Sequence, residues 1–175
     1  MKNRLYFLML AITILSIGTS SVQSVQPLYG TADTQFNLGF PGPQDEIPDW
    51  VGHININGVN YGIVFYNLGT GKSLNNKADV NTVFFTEQWV VFSSIDIHFN
   101  DQGVLTDWSH GSIVMSGDDT GVVSIANSHY VMNGEVRVAN GIFNIYQGHT
   151  VHISGTVQWY DFGAPQFAHG PFRIN

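Results

Sequence analysis

The chain has no cysteine, few charges and no convincing helical segment. Without Cys it cannot staple itself with disulfides, the usual device of small exported domains, nor carry a lipid on an N-terminal Cys or use a thiol nucleophile. Only 11% of its 175 residues are charged, against about 25% in an ordinary domain. Its polar surface is therefore built from Asn, Ser, Thr and Gly, which favour turns and solvated strands over helices. That composition excludes a coiled coil. Six Lys and Arg against 13 Asp and Glu exclude a nucleic-acid binder, because a phosphate backbone needs clustered cations. There is no Gly-x-Ser-x-Gly elbow, no phosphate-cradling glycine loop and, among 15 Asn, no Asn-x-Ser/Thr sequon.

The N-terminus carries Lys2 and Arg4, a 13-residue apolar run from Leu5 to Ile17, and small residues through Ser24. This pattern predicts a secretory signal peptide over 1–24, too short for a bilayer-crossing helix of about 20 residues. An uncleaved anchor is the alternative. Cleavage leaves Lys72, Lys77, Arg137 and Arg173 against 13 carboxylates, a mature net charge of −9. The expected location is outside the cell or in a periplasm, with no membrane contact after cleavage. About 150 residues suffice for a core that needs no disulfide.

Residues 25–49 are rich in Pro and Gly, which resist regular ladders, and read as an extended lead-in to a domain spanning 50–175. Trp50, Gly52, Ile54 and Ile56 alternate with polar residues, and Asn57-Gly58 then turns the chain into Val59, Tyr61, Ile63 and Phe65. Asn-Gly between alternating runs is the strongest short hairpin signal. Further strands are predicted over 82–99 with a bend at Ser93-Ser94, and over 104–116, 122–132, 135–139, 142–147, 150–160 and 167–174. Turns are expected at 117–121 and at Asn133-Gly134. Eight or nine tightly linked strands predict an all-β fold, a single antiparallel β-barrel of about eight strands, with a two-sheet β-sandwich as the alternative. The strand after Thr82 is apolar on both faces, Phe85, Trp89, Val91, Ile95 and Ile97 on one and Phe84, Val90 and Phe92 on the other. A strand of this kind is covered on both sides, by the lead-in or by a second subunit, so a homo-oligomer is one expectation.

Between Ala139 and Val157, Gly141-Ile-Phe143, Gly148 and Gly155 resemble the glycine-flanked strand pairs of the allene oxide cyclase barrel and its dirigent relatives. In those proteins a Gly-x-Phe opens a strand, a further Gly turns it and the next strand carries another Gly. The resemblance covers about 20 residues and implies an eight-stranded barrel, often dimeric or trimeric, whose apolar lumen holds a hydrophobic guest. No catalytic residue of that group maps onto this chain.

Glu87 is the candidate catalytic residue, because alternation sets it between Phe85 and Trp89 on an apolar face. Desolvation there raises a carboxyl pKa and suits it to general acid or base work; the alternatives are an outward turn or pairing with a cation. Tyr61, Phe85, Trp89 and Asp107 are the candidate ligand contacts. Asp107 joins Glu87 as a carboxylate pair if its face looks inward, and outward exposure is the preferred reading. Seven His residues include no His-x-His pair, so they read as scattered surface groups and no metal site is assigned. Asp118-Asp119 lacks the spacing of a Ca²⁺ loop and reads as an acidic turn. The aromatics Trp89, Trp108, Trp159, Tyr61 and Tyr130 read as core before sugar platform. No cofactor is implied. Three functions fit these features: binding of a small hydrophobic or amphipathic molecule in the interior, an isomerase or cyclase acting through Glu87, and a structural or adhesive surface protein.

Overall fold

The computed structural model describes residues 24–39, 47–72, 82–158 and 165–175. The signal segment, apart from Ser24, and Trp159 lie outside the described residues. The described residues form ten strands: β1 (Leu28–Phe36), β2 (Trp50–Ile56), β3 (Val59–Lys72), β4 (Thr82–Phe92), β5 (Ile95–Phe99), β6 (Leu105–His110), β7 (Ile113–Ser124), β8 (His129–Ala139), β9 (Thr150–Gln158) and β10 (Phe167–Ile174). Eight form a closed antiparallel barrel in the order β1-β10-β9-β8-β7-β4-β3-β2, and β5 with β6 makes a separate hairpin. The closing strand is β1, bonded to β10 on one side and β2 on the other. The Pro- and Gly-rich lead-in thus supplies a barrel strand, and the domain begins ahead of Trp50. Closure leaves no bare edge among the eight.

Asn57 and Gly58 take positive φ, 52° and 85°, and Asn55 Oδ1 accepts from the Gly58 amide at 3.0 Å, so the Asn-Gly hairpin forms as expected. The turns expected at 117–121 and 133–134 do not. Gly117, Gly121 and Gly134 lie inside β7 and β8, where a Cβ on Gly117 would stand 2.1 Å from the Glu135 carbonyl and one on Gly134 1.9 Å from the Asp118 carbonyl. In these strands glycine marks close backbone approach rather than a turn. The predicted 104–116 strand breaks at Gly111-Ser112 into β6 and β7.

Residues 142–147 were the other strand expectation, and a 3-10 helix (Gly141–Tyr146) stands there instead. Gly141 enters it at φ 59°. Phe143 and Tyr146 are buried, while Ile142 and Ile145 are exposed. Both pairs are three residues apart, the repeat of a 3-10 turn, whose i and i+3 side chains share a face. Phe143 packs edge-on against Tyr61 at 5.6 Å, and the Tyr146 hydroxyl donates to the Gln26 carbonyl at 3.1 Å. The helix thereby plugs the barrel end where β2 turns into β3.

The main core fills the barrel, and a second, smaller core lies outside it. Val51, Val64, Val90 and Phe92 point outward from β2, β3 and β4 and pack under Ile95, Ile97, Phe99, Leu105 and Trp108 of the hairpin. Ile95 and Ile97 therefore belong to the outer layer, not to the inner face of Glu87, and the second cover of β4 comes from within the chain. Buried Asn37 ties the hairpin in place: its Oδ1 accepts from the Leu105 amide at 2.9 Å.

On the far side of the barrel, Gly155 of β9 and Gly170 of β10 touch. A Cβ on Gly170 would lie 1.8 Å from the Ser154 carbonyl and 2.6 Å from the Gly155 Cα. Both obstacles are backbone, so Gly170→Ala can be accommodated only by parting β9 from β10. Chemical denaturation should show a loss on the order of 3 kcal/mol; an unchanged midpoint would mean that the two strands do not approach this closely.

Candidate functional site

The end opposite the plug is hollow. A cavity of about 370 Å³ lies between the upper halves of the strands, walled by Phe65, Val83, Phe85, Val123, Met132, Val157 and Ala168, with Phe36, Trp50, Ile125 and Gln166 at its rim. Each wall residue follows from strand alternation, since Val83, Phe85 and Glu87 occupy successive inward positions of β4 and Trp89 and Val91 continue the row below. Trp89 is fully buried, with its ring 5.6 Å from Phe172 and nearly perpendicular to it. These two rings belong to the packed core below the residues that line the cavity. A bulge in β3 between Asn67 and Gly69 interrupts the ladder at the rim, turning Leu68 out to solvent while Asn67 lines the cavity.

Polar groups enter this apolar space at few points. Glu87 lines the cavity and is buried. Burial holds its carboxyl well above the usual pKa, and the neighbouring Asp119 and Asp49 carboxylates push the same way. Asp119 is the residue directly across from Glu87 in the β4–β7 ladder. It is also buried, both of its carboxylate oxygens are without a hydrogen-bond partner, and its pKa is raised to about 7, by burial first and then by Asp118. Asp49, half-buried at the mouth, accepts from the Asn67 amide. Desolvation outweighs that bond and lifts its pKa. Tyr130 lines the opposite wall, its hydroxyl held well above its usual pKa by burial and by Glu87.

Of the residues singled out from sequence, Glu87 and Phe85 meet in the cavity. Trp89 lies deeper in the core, next after Glu87 in the inward row of β4, and does not line the cavity. Tyr61 is at the plugged end against Phe143, and Asp107 is exposed on the outer hairpin, as the preferred reading had it. The carboxylate beside Glu87 is Asp119 rather than Asp107. Asp119 was hidden by Gly117 and Gly121, which made its segment look like a turn. One signal pointed to it: Gly117, Asp119, Gly121 and Val123 are two apart, and such spacing inside a continuous strand puts a carboxylate on one face with small and apolar residues.

Both arginines among the described residues are on the outside. Arg137 bonds Asp118 and Glu135 at 3.0 Å, and Arg173 lies over the Tyr29 ring. Neither reaches Glu87. Five of the seven His residues are exposed and two half-exposed, and among the described residues no cluster of three His, Asp or Glu could hold a metal ion. His169 pairs with Asp33 on the outer wall.

Compared with protein-family models, with curated proteins and with solved structures, the chain matches none. The site's chemistry must therefore be read from its own groups. It offers an apolar hollow, five aromatic walls, and a pair of inward carboxyls that retain protons to an unusually high pH. Such a pair can donate or accept a hydrogen bond, or take up and release a proton, against a guest that water does not reach.

Proposed function

We propose that this is an exported barrel protein that binds a small hydrophobic or amphipathic molecule in the open half of its interior. The observation that carries this reading is the cavity of about 370 Å³. It lies within the range of small-molecule sites and shares their usual make-up, mostly apolar walls with a few placed polar groups. An eight-stranded barrel of this size can be filled by its own side chains or keep room for one ligand. Here Ala32, Thr34 and Ala168 stand where larger residues would close the space. The N-terminal segment, with its basic start and short apolar run, supports export.

Thermal shift and native mass spectrometry against a panel of lipids and terpenoids test this reading. A ligand at 100 times its Kd should stabilise the native chain by about 2.7 kcal/mol. Ala168→Phe, which places a ring in the hollow, should weaken binding at least tenfold while circular dichroism stays all-β. A panel with no binder, or a filled variant that binds as before, would remove the interior as the site.

A second reading makes the barrel an isomerase or cyclase on such a guest. It is favoured by Glu87, a carboxyl that keeps its proton beside an apolar chamber, the setting that general acids use. Glu87→Gln should then abolish turnover while binding persists. The structural or adhesive reading loses its main support, because the hairpin supplies the second cover that had suggested assembly.

A further inference from the structure

We infer that the guest of this cavity is a hydrophobic amine, bound as its ammonium ion between the aromatic walls and the Glu87–Asp119 pair. The inference deepens the interior-binding reading and rests on it. Its first support is the sign of the site. Asp49 and Glu87 line the hollow and Asp119 lies behind Glu87, whereas no described lining residue is Lys, Arg or His. The described arginines are engaged on the outer surface. Among the described residues nothing on the inner wall neutralises the acids, and an uncompensated buried carboxylate is among the most costly features a fold can keep.

The second support is the bonding state of Asp119. Its two oxygens are buried and accept nothing. A neutral guest taking a hydrogen bond from Glu87 would leave that deficit as it stands. A cation beside Glu87 would offset the charge of both carboxyls at once, and in a low-dielectric chamber it would do so strongly. The third support is the wall. Phe36, Trp50, Phe65, Phe85 and Tyr130 surround the space, and aromatic faces attract cations while repelling anions. A fatty acid or other carboxylate fits neither feature.

Binding then carries a proton signature. The ionisable groups lining the chamber are Asp49 before β2, Glu87 on β4 and Tyr130 on β8, with Asp119 on β7 across the ladder from Glu87. Burial makes both carboxyls of the pair hold their protons to higher pH than in water, Asp119 to about 7, so an ammonium entering at pH 7 expels a proton to the buffer.

Two matched trios test this with the full chain: the 2-phenylethyl and decyl skeletons, each as primary amine, alcohol and carboxylate. Calorimetry at pH 7 in phosphate and in Tris should show at least one amine binding ten times tighter than its alcohol, no carboxylate binding, and a heat that differs between buffers for the amine alone. Glu87→Gln should collapse the amine-to-alcohol ratio to near one. An alcohol or carboxylate that matches or beats its amine overturns the ammonium inference and leaves the interior-binding reading intact. If none of the six compounds binds, both fall together.

Discussion

Asp119→Asn is expected to gain stability over the native chain as pH rises, from near parity at pH 4 to an advantage of about 4 kcal/mol at pH 8. Asp119 is buried opposite Glu87 with no hydrogen bond to either oxygen, and its pKa moves from 3.8 to about 7 on folding. Below 3.8 the carboxyl is protonated in both states and folding is unpenalised. Between the two values the unfolded chain releases the proton while the folded chain holds it. Stability therefore declines as pH climbs, and the decline is complete above about 7. At 1.36 kcal/mol for each pH unit between the two values, the loss is about 4 kcal/mol. Asn mimics the protonated form and cannot ionise. Glu87 and Asp49, also raised, act in the same direction and remain in the variant, so both proteins lose stability with pH, and the difference reports Asp119 together with its push on Glu87. Urea unfolding at pH 4, 6 and 8 measures it, and parallel profiles for the two proteins would show that Asp119 is hydrated or paired in solution. The same titration links to ligand binding, since an ammonium guest would restore part of the lost stability above pH 7.

The barrel was legible because its signal is local. Strand alternation in 50–65, the Asn-Gly hairpin and the β-branched run after Thr82 each carry their own period, and closure follows from the number of strands that would otherwise leave edges. Glu87 was legible for the same reason, an acid at an apolar position two residues from Phe85 and two from Trp89. Glycine misleads inside the strands. Gly117, Gly121 and Gly134 carry the composition of turns, yet each serves the close passage of β7 past β4 and β8, a demand set by strands distant in sequence. Gly141 read as the opening of a strand, whereas the i, i+3 spacing of Phe143 and Tyr146 turns the segment into the plug. The lead-in suffered the converse error: its prolines concealed β1, whose ladder partners are β2 and the last strand of the chain. Asp119 stayed hidden because a carboxylate beside glycine is ordinary turn chemistry, and the register against Glu87 brings it to the site.

Trp89→Ala should cost between about 3 and 5 kcal/mol, the range for removing a large buried aromatic from a core, and should also deepen the cavity. The indole is completely buried and lies edge-on to Phe172. It covers Gly117, directly across the ladder, so closely that a Cβ there would fall 2.5 Å from the ring. With glycine on the facing strand, no side chain is available to relax into the space, and the hole persists rather than collapsing. One term works in the opposite direction: the indole N–H is buried without an acceptor, a deficit that Ala removes. Trp89→Phe separates the two effects. It keeps most of the ring contact with Phe172, drops the unpaired donor and should cost under half as much as the Ala change. Chemical denaturation gives both values, and a Phe variant as damaged as the Ala one would mean that the N–H has a partner in solution. The Ala variant also reports on the site, because Trp89 is the next inward residue of β4 after Glu87 and its removal opens space below the hollow. Longer guests, such as decyl over phenylethyl amines, should then gain affinity relative to the native barrel, whereas an unchanged preference would mean that the hollow does not extend into that space.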